Sequence, residues 1–387
     1  MAIKRKICVV TGNRSDYGLM SPLMSLLKEH SFFELQIIAT GAHLSAEFGY
    51  TIKEIEEDGF HVNKRIEIVL SSDSKSAVVK SMGLLQLSIG DAFDELRPDL
   101  ILVLGDRYEM LSAVSAALIF NIPVAHISGG EITEGAIDDS IRHAITKMSH
   151  IHFTAMDEYR NRVIQLGENP SAVFTIGEIG LDKINLVNLR SKEELEKDLD
   201  LKFKTKNILL AYHPVTTEKD SGVKFAEILS AIDSLEDTFT IISYPNADAG
   251  GREIISMIDN YVATRKDTCK AFKSLGHLRF LSTINVVDVV IGNSSSGIVE
   301  VPSFRKASIN IGDRQKGRIQ ASSTLNCKEN KEEIIEALNI AFSENFQSSL
   351  EFVVNPYGDG FSSVRALEIL KNIDLNSITK KKFYDLA

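Results

Sequence analysis

Along most of the chain, short apolar runs rich in valine and isoleucine alternate with longer amphipathic stretches. In the first half, residues 7–11, 35–40, 100–104, 124–127 and 151–154 are such runs, and 19–29, 47–58, 76–95, 108–120 and 138–148 read as helices. Continuous apolar strands separated by helices predict a parallel sheet covered on both faces, because a strand buried on both sides has no polar side to show. The pattern pauses over 185–206, a charged stretch, helical in composition and without long apolar runs, that reads as a bridge. It resumes with strands predicted at 208–212, 240–244, 287–291 and 307–311 and helices at 224–234, 251–261, 297–302 and 331–341. A last helix, 361–372, follows the turn-rich segment 355–360. The expected fold class is α/β, with two Rossmann-like domains facing a cleft. The expected boundaries are 1–184 for the first domain, 185–206 for a linker, 207–360 for the second domain and 361–387 for a C-terminal helix able to cross back.

Composition supports two cores and narrows the partners. The 387 residues are 44% apolar and 25% charged, ordinary for globular domains of this number. A net charge of −10 argues against nucleic acid, whose phosphates need basic surface, but leaves room for a small phosphorylated ligand. Cys8, Cys269 and Cys327 are widely scattered and form no zinc-type pattern. Their odd number and the short apolar run after Lys6 fit a cytoplasmic protein without an export signal. Nothing approaches a membrane span.

In open α/β sheets ligands bind outside the carboxyl ends of the strands, so the residues just after each strand carry the candidate chemistry. After the first strand come Gly12, Asn13, Arg14, Ser15 and Asp16, which do not form the GxGxxG dinucleotide fingerprint. Arg14 offers a cationic fork for a phosphate, while Ser15 or Asp16 could simply cap the next helix. Asp106 and Arg107 follow Gly105 at another strand end, again open to a capping reading. The densest stretch runs from His126 through Gly129, Gly130, Glu131, Glu134, Asp138 and Asp139 to Arg142 and His143. A glycine pair lets backbone approach a ligand, and clustered carboxylates raise one another's pKa and supply acid and base partners. Asp138 with Arg142, and Asp139 with His143, stand four apart on one helical face. In the second half, His213, Asn246, the run Gly292-Asn293-Ser294-Ser295-Ser296-Gly297 and Arg314 end successive strands. Free amides, hydroxyls and a helix start make the serine run an anion cradle, and Glu300, one turn on, can accept from ribose hydroxyls.

Taken together, TGNRSDYG, GDRYEM, GGEITEGAIDDSIRHAITK, HPVT, NADAGG, GNSSSGIVE, INIGDRQ and NPYGDG resemble the UDP-N-acetylglucosamine 2-epimerase family, in order and over almost the whole chain. DDSIRHAITK looks more like the hydrolysing branch that feeds sialic-acid-type sugar synthesis. The resemblance implies a GT-B-like arrangement with substrate in the interdomain cleft, a cleft expected to close on it. It puts Arg14 at the diphosphate and Asp106, Glu131 and Asp138 around the sugar, with His213 approaching from the second domain. Asn246, Ser294, Ser295, Glu300 and Arg314 would hold the nucleotide, and Arg107, Arg142 and Asp182, which matches an aspartate near the hinge, join the substrate-binding set. Ser128 departs from the glutamate of several members. Either Glu131 takes over, or Asp106 and Asp138 suffice, or the substrate differs.

The implied reaction loses UDP from a 2-acetamido sugar, gives a glycal by loss of the C2 proton, and hydrates it to the free 2-epimer. It asks for no metal and no cofactor. The first-choice substrate is UDP-N-acetylglucosamine, giving N-acetylmannosamine. The runner-up is the 2,4-diacetamido-2,4,6-trideoxy analogue of legionaminic-acid-type pathways. A GT-B glycosyltransferase and a non-catalytic UDP-sugar sensor are the other classes. The expected partners are a UDP-sugar and further copies of the chain in a dimer or tetramer, with neither nucleic acid nor membrane.

Overall fold

The structure, a computed structural model, describes residues 4–72, 74–133, 137–214, 221–245, 251–375 and 378–386. The chain divides into two compact units, Met1–Asn185 with Tyr357–Ala387, and Leu186–Pro356. The first unit holds β1 (Arg5–Thr11), β2 (Phe33–Thr40), β3 (Lys64–Ile66), β4 (Leu100–Leu104), β5 (Val124–Ile127), β6 (Ile151–Thr154) and β7 (Val173–Thr175). They form one parallel sheet in the order β3-β2-β1-β4-β5-β6-β7. Side chains alternate across a strand, so β1 feeds two cores at once. Ile7 and Val9 pack with Met20, Leu23 and Leu27 of the helix Arg14–Glu29 and with Ala366 and Leu370 of the helix Ser362–Asn372. Cys8 and Val10 pack with Leu85, Ile89 and Phe93 of the helix Lys75–Leu96 and Val114 of the helix Tyr108–Ile119.

The second unit is a parallel sheet of β8 (Lys206–Ala211), β9 (Thr238–Ser243), β10 (Cys269–Phe272), β11 (Val289–Gly292), β12 (Ala307–Ile311) and β13 (Thr324–Cys327). Its order is β10-β9-β8-β11-β12-β13, and Ile208, Leu210, Ile291 and Ile309 anchor its core. The architecture is α/β, two parallel sheets flanked by helices, as the alternating pattern predicts.

The differences from the sequence reading have one main cause. The unpredicted strands β3, β7, β10 and β13 are the four sheet edges. An edge strand is short and buried on fewer sides, so it lacks the apolar run that marks a central strand. The helices Asp157–Gln165, Gly276–Val286 and Glu344–Ser349 were also not predicted, and the helix expected at 47–58 shortens to Ile52–Glu57. Segment 185–206 is helical in part, as its composition suggests: Ser191 and Glu194 form a capping box on the helix Lys192–Leu199, which buries Leu195 and Leu199 within the second unit.

After the helix Ser362–Asn372 the chain straps back over the first unit. Lys381 Nζ lies 2.7 Å from the buried Glu168 carboxylate and donates at 2.8 Å to the Lys147 carbonyl, capping the end of the helix Ile137–Met148. His152 and Lys147 bind the same carboxylate at 3.0 and 2.8 Å. Burial alone would raise Glu168, but these three donors outweigh it and bring its pKa down to about 2.

Candidate active site

At the end of β4 the chain turns through Gly105, whose φ of +78° suits glycine, and presents Asp106. Arg107 occupies the N-cap of the following helix and no side chain caps it, so Asp106 is not spent as a cap. Its carboxylate instead meets the guanidinium of Arg142. That guanidinium is nearly buried, donates to the Ser128 carbonyl at 2.7 Å and lies 3.6 Å from Glu131. Burial raises the Asp106 pKa, Arg142 opposes this, and the nearby charge of Asp138 adds to the rise. The structure therefore brings Asp106, Glu131, Asp138 and Arg142 together around the carboxyl ends of β4 and β5. The helical spacing pointed Arg142 at Asp138, but its guanidinium meets Asp106, Glu131 and the Ser128 carbonyl. A buried arginine needs several acceptors, and the strand ends supply them. Asp139 and His143 do pair, at 3.6 Å.

The loop after β5 carries backbone strain where the chemistry is concentrated. Ser128 has a φ of +64°, an uncommon conformation for a residue with a side chain. The glycine pair was expected to admit a ligand, but the structure fills that space with protein. A Cβ on Gly130 would lie 2.3 Å from the Tyr159 carbonyl oxygen, and one on Gly129 would press on Thr146 and His126 at 3.1 and 3.2 Å. Glu134 lies outside the described residues.

Arg14 is the first residue of the helix Arg14–Glu29, capped by Asn13 and not by Ser15 or Asp16. Its side chain, 72% exposed, pairs with Glu54 at 2.9 Å. Arg107 is clamped by the fully buried Glu109 through two bonds of 3.1 and 2.8 Å. Gly12 and Gly41 leave room for that carboxylate, since a Cβ would come within 3.3 and 2.8 Å of it. Asp16 belongs to the same cluster. Burial, offset only in part by Arg107, pushes its carboxyl up to about 6. The sequence reading took Asp16 for a possible helix cap and passed over Glu109, which looks like an ordinary first-turn acid.

Asp182, counted with the substrate-binding residues on the resemblance, has its carboxylate bonded to backbone within the first unit. It is buried, and its carboxylate accepts from the backbone N–H of Ser362, at 2.8 Å, and of Ser363. It caps the helix Ser362–Asn372, with an anion at the helix's positive end. Asp182→Ala leaves two buried amides unpaired. We expect it to lower unfolding stability by about 2 kcal/mol in a urea titration, with the KM of the folded enzyme unchanged. A raised KM at unchanged stability would return Asp182 to the substrate.

In the second unit Asn293, buried at the end of β11, organises its neighbours. Its side chain accepts from the His213 N–H at 2.8 Å and donates to the His213 carbonyl at 2.7 Å. Its own carbonyl accepts from Arg314 and Gln315 at 3.0 and 2.9 Å. His213, Arg314 and the serine run are thus joined at the carboxyl ends of β8, β11 and β12. Gly292 makes this possible, because a Cβ there would lie 2.0 Å from the Ala211 carbonyl oxygen. Ser294 and Ser295 are half-buried. The helix they precede is only Ser296–Val299, so the anion cradle owes little to a helix dipole. Burial raises the Glu300 carboxyl, which accepts from the Ser296 side chain. Asn246 lies outside the described residues. Sequence reasoning missed Asn293 and Gln315 as organisers, although Asn293 stands in the loop it singled out. Among the described residues no three His, Cys, Asp or Glu side chains cluster to hold a metal, and no helix is long and apolar enough to cross a membrane.

Comparison with known proteins agrees with this fold. The family model for UDP-N-acetylglucosamine 2-epimerase matches residues 25–371. The chain is 41% identical to GDP/UDP-N,N'-diacetylbacillosamine 2-epimerase (hydrolyzing) of Campylobacter jejuni, covering 99% of this chain and 100% of the relative. It is 38% identical to polysialic acid biosynthesis protein P7 of Escherichia coli, covering 99% and 98%. The fold matches a crystal structure of Neisseria meningitidis UDP-GlcNAc 2-epimerase bound to UDP-GlcNAc with a TM-score of 0.77 at 20% identity, over 95% of this chain and 100% of that one. A GT-B-like α/β architecture and a family model spanning most of the sequence lead to one assignment: the chain belongs to the hydrolysing UDP-N-acetylglucosamine 2-epimerase family.

Proposed function

We propose that this enzyme converts UDP-2,4-diacetamido-2,4,6-trideoxyglucose (UDP-N,N'-diacetylbacillosamine) and water to UDP and the free 2-epimer. The observation that carries the reaction type is the carboxylate cluster held by Arg142. The substrate choice is supported by the 41% identity, over the full length, to a protein named for that sugar. In the reaction a carboxylate takes the C2 proton, the C2–H electron pair forms the C1=C2 bond, and the C1–O bond breaks with its electrons going to UDP. Hydration then returns a proton to C2 on the opposite face and places a water oxygen on C1. Asp106 and Glu131, both close to Arg142, and Asp138 beside them are the groups placed to exchange these protons. His213, the Ser294 and Ser295 amides and Arg314 serve the leaving diphosphate and nucleotide.

UDP-N-acetylglucosamine is the second reading, kept by the 38% identity to a polysialic acid biosynthesis protein. Each UDP-sugar, and the GDP form of the diacetamido sugar, is supplied alone while nucleoside diphosphate release is followed and the sugar is identified by NMR. We expect at least tenfold higher kcat/KM for the UDP-diacetamido substrate, about the discrimination that contacts to one extra acetamido group supply. Preference for UDP-N-acetylglucosamine selects the second reading. Turnover only with an added acceptor, or none at all, overturns the epimerase.

Glu300→Ala tests the nucleotide side. A ribose hydroxyl donating to a carboxylate is a charge-assisted bond, so UDP affinity by calorimetry should fall roughly 10- to 100-fold. kcat at saturating substrate should hold. Unchanged affinity would put the ribose elsewhere.

A further inference from the structure

Gly105, the residue before Asp106, is gripped through both its backbone groups by consecutive residues of β5. Its N–H donates to the Ile127 carbonyl at 3.0 Å. Its carbonyl lies 2.8 Å from His126 Nε2. A carbonyl oxygen can only accept, so Nε2 carries the proton. The other ring nitrogen, Nδ1, lies 3.1 Å from the Thr146 hydroxyl, which must then be its donor if the ring is neutral. Burial holds the ring neutral, with its pKa lowered to about 3. His126 and Thr146 are fully buried, so no water competes for either bond. Thr146 stands on the helix Ile137–Met148, one turn beyond Arg142, which binds the Asp106 carboxylate itself. Asp106 is therefore held at two points by one helix, at its side chain through Arg142 and at its backbone through Thr146 and His126.

We propose that His126 is a positioning residue for Asp106, its ring held by Thr146 so that Nε2–H locks the left-handed Gly105 turn and the carboxylate meets the sugar in one orientation. This rests on the reading of Asp106 as a proton-transfer group. A glycine turn at φ +78° has no side chain of its own to fix it, and the bond from His126 supplies the constraint. The bare room at Gly129, whose added Cβ would press on both His126 and Thr146, is what lets these two meet. A histidine that merely filled the core would be served as well by a ring of like size.

The test uses the full chain as His126→Phe, His126→Gln and Thr146→Val, with Asp106→Asn as reference. Misplacing a reacting group by about 1 Å costs on the order of 100-fold. We expect His126→Phe to lower kcat roughly 10- to 100-fold, with KM and UDP affinity within about threefold of wild type. Glutamine keeps an N–H for the Gly105 carbonyl and should recover part of the loss. Thr146→Val removes the hydroxyl that donates to Nδ1 and holds the ring, with little change in side-chain volume, and should lower kcat by several-fold. Circular dichroism checks the fold, and if His126→Phe does not fold, Thr146→Val decides. Wild-type kcat in folded His126→Phe or Thr146→Val, with Asp106→Asn inactive, overturns the positioning role alone. Wild-type turnover in Asp106→Asn overturns the reading beneath it and the positioning role with it. A fall confined to kcat/KM through a raised KM, or no gain from glutamine over phenylalanine, assigns His126 to packing and overturns the proposal.

Discussion

Asp106→Asn should lower kcat by roughly 10²- to 10⁴-fold, the range by which a positioned acid or base accelerates a proton transfer. The amide is nearly the same size and can still accept from Arg142, so the geometry around it is kept. What is lost is the basic lone pair and the negative charge. Removing that charge also unbalances a guanidinium that is nearly buried. Breaking a buried pair outright costs about 3–5 kcal/mol. Here Glu131 stays 3.6 Å from Arg142 and the Ser128 carbonyl still accepts at 2.7 Å, so compensation remains. We expect a stability loss of about 1–3 kcal/mol in denaturant titration, while the folded variant binds UDP as before. A folded variant that binds UDP but turns over this slowly is the result expected of a group that touches the reacting sugar. Arg142→Lys is the companion variant. It keeps the charge but not the fork that reaches Asp106 and the Ser128 carbonyl together, so it should fall between wild type and Asp106→Asn in kcat. A folded Asp106→Asn with wild-type kcat removes the cluster from the chemistry.

The central strands were legible because physics writes them twice, once as an apolar run and once as a turn after it. β4, β5, β6 and β12 begin and end where their apolar runs do. β3, with the sequence KRI, has no such run and exists because Ile38–Thr40 of β2 offers it a ladder. The site was legible to the extent that strand ends carry polar residues. Asp106 and Glu131 could be picked out by position alone. Their connection through Arg142 could not, because the spacing rule for helices sees only partners on the same helix. Asp182 shows the same limit at longer range. Its partners Ser362 and Ser363 lie 180 and 181 residues away, and nothing local distinguishes a capping carboxylate from a ligand-binding one. His126 and Asn293 are subtler, since each acts on backbone groups of another strand, and backbone partners leave no trace in composition.

Run in deuterated water, the reaction should place deuterium at C2 of essentially every product molecule, and run in oxygen-18 water it should place the label at C1. Both follow from elimination before hydration. The C2 hydrogen of a 2-acetamido sugar is not next to a carbonyl, so a carboxylate cannot remove it until departure of UDP gives C1 oxocarbenium character. The proton taken from one face goes to a carboxylate that exchanges with solvent, and the proton returned to the other face comes from solvent. Simple hydrolysis would label C1 and leave C2 untouched. Epimerisation by transient oxidation would return the substrate's own hydrogen and would draw on a nicotinamide, whose GxGxxG fingerprint the turn from Gly12 to Gly18 does not carry. Mass spectrometry at early times separates the three, before the free sugar exchanges its anomeric oxygen. The Asp106→Asn variant adds a second reading of the same experiment. If Asp106 takes the C2 proton, the residual product of the variant forms slowly but with the same labels. If it instead returns the proton, the glycal accumulates and UDP release outruns formation of the free sugar. Product that keeps the substrate's C2 hydrogen would exclude elimination and, with it, every proton-transfer role given to this cluster.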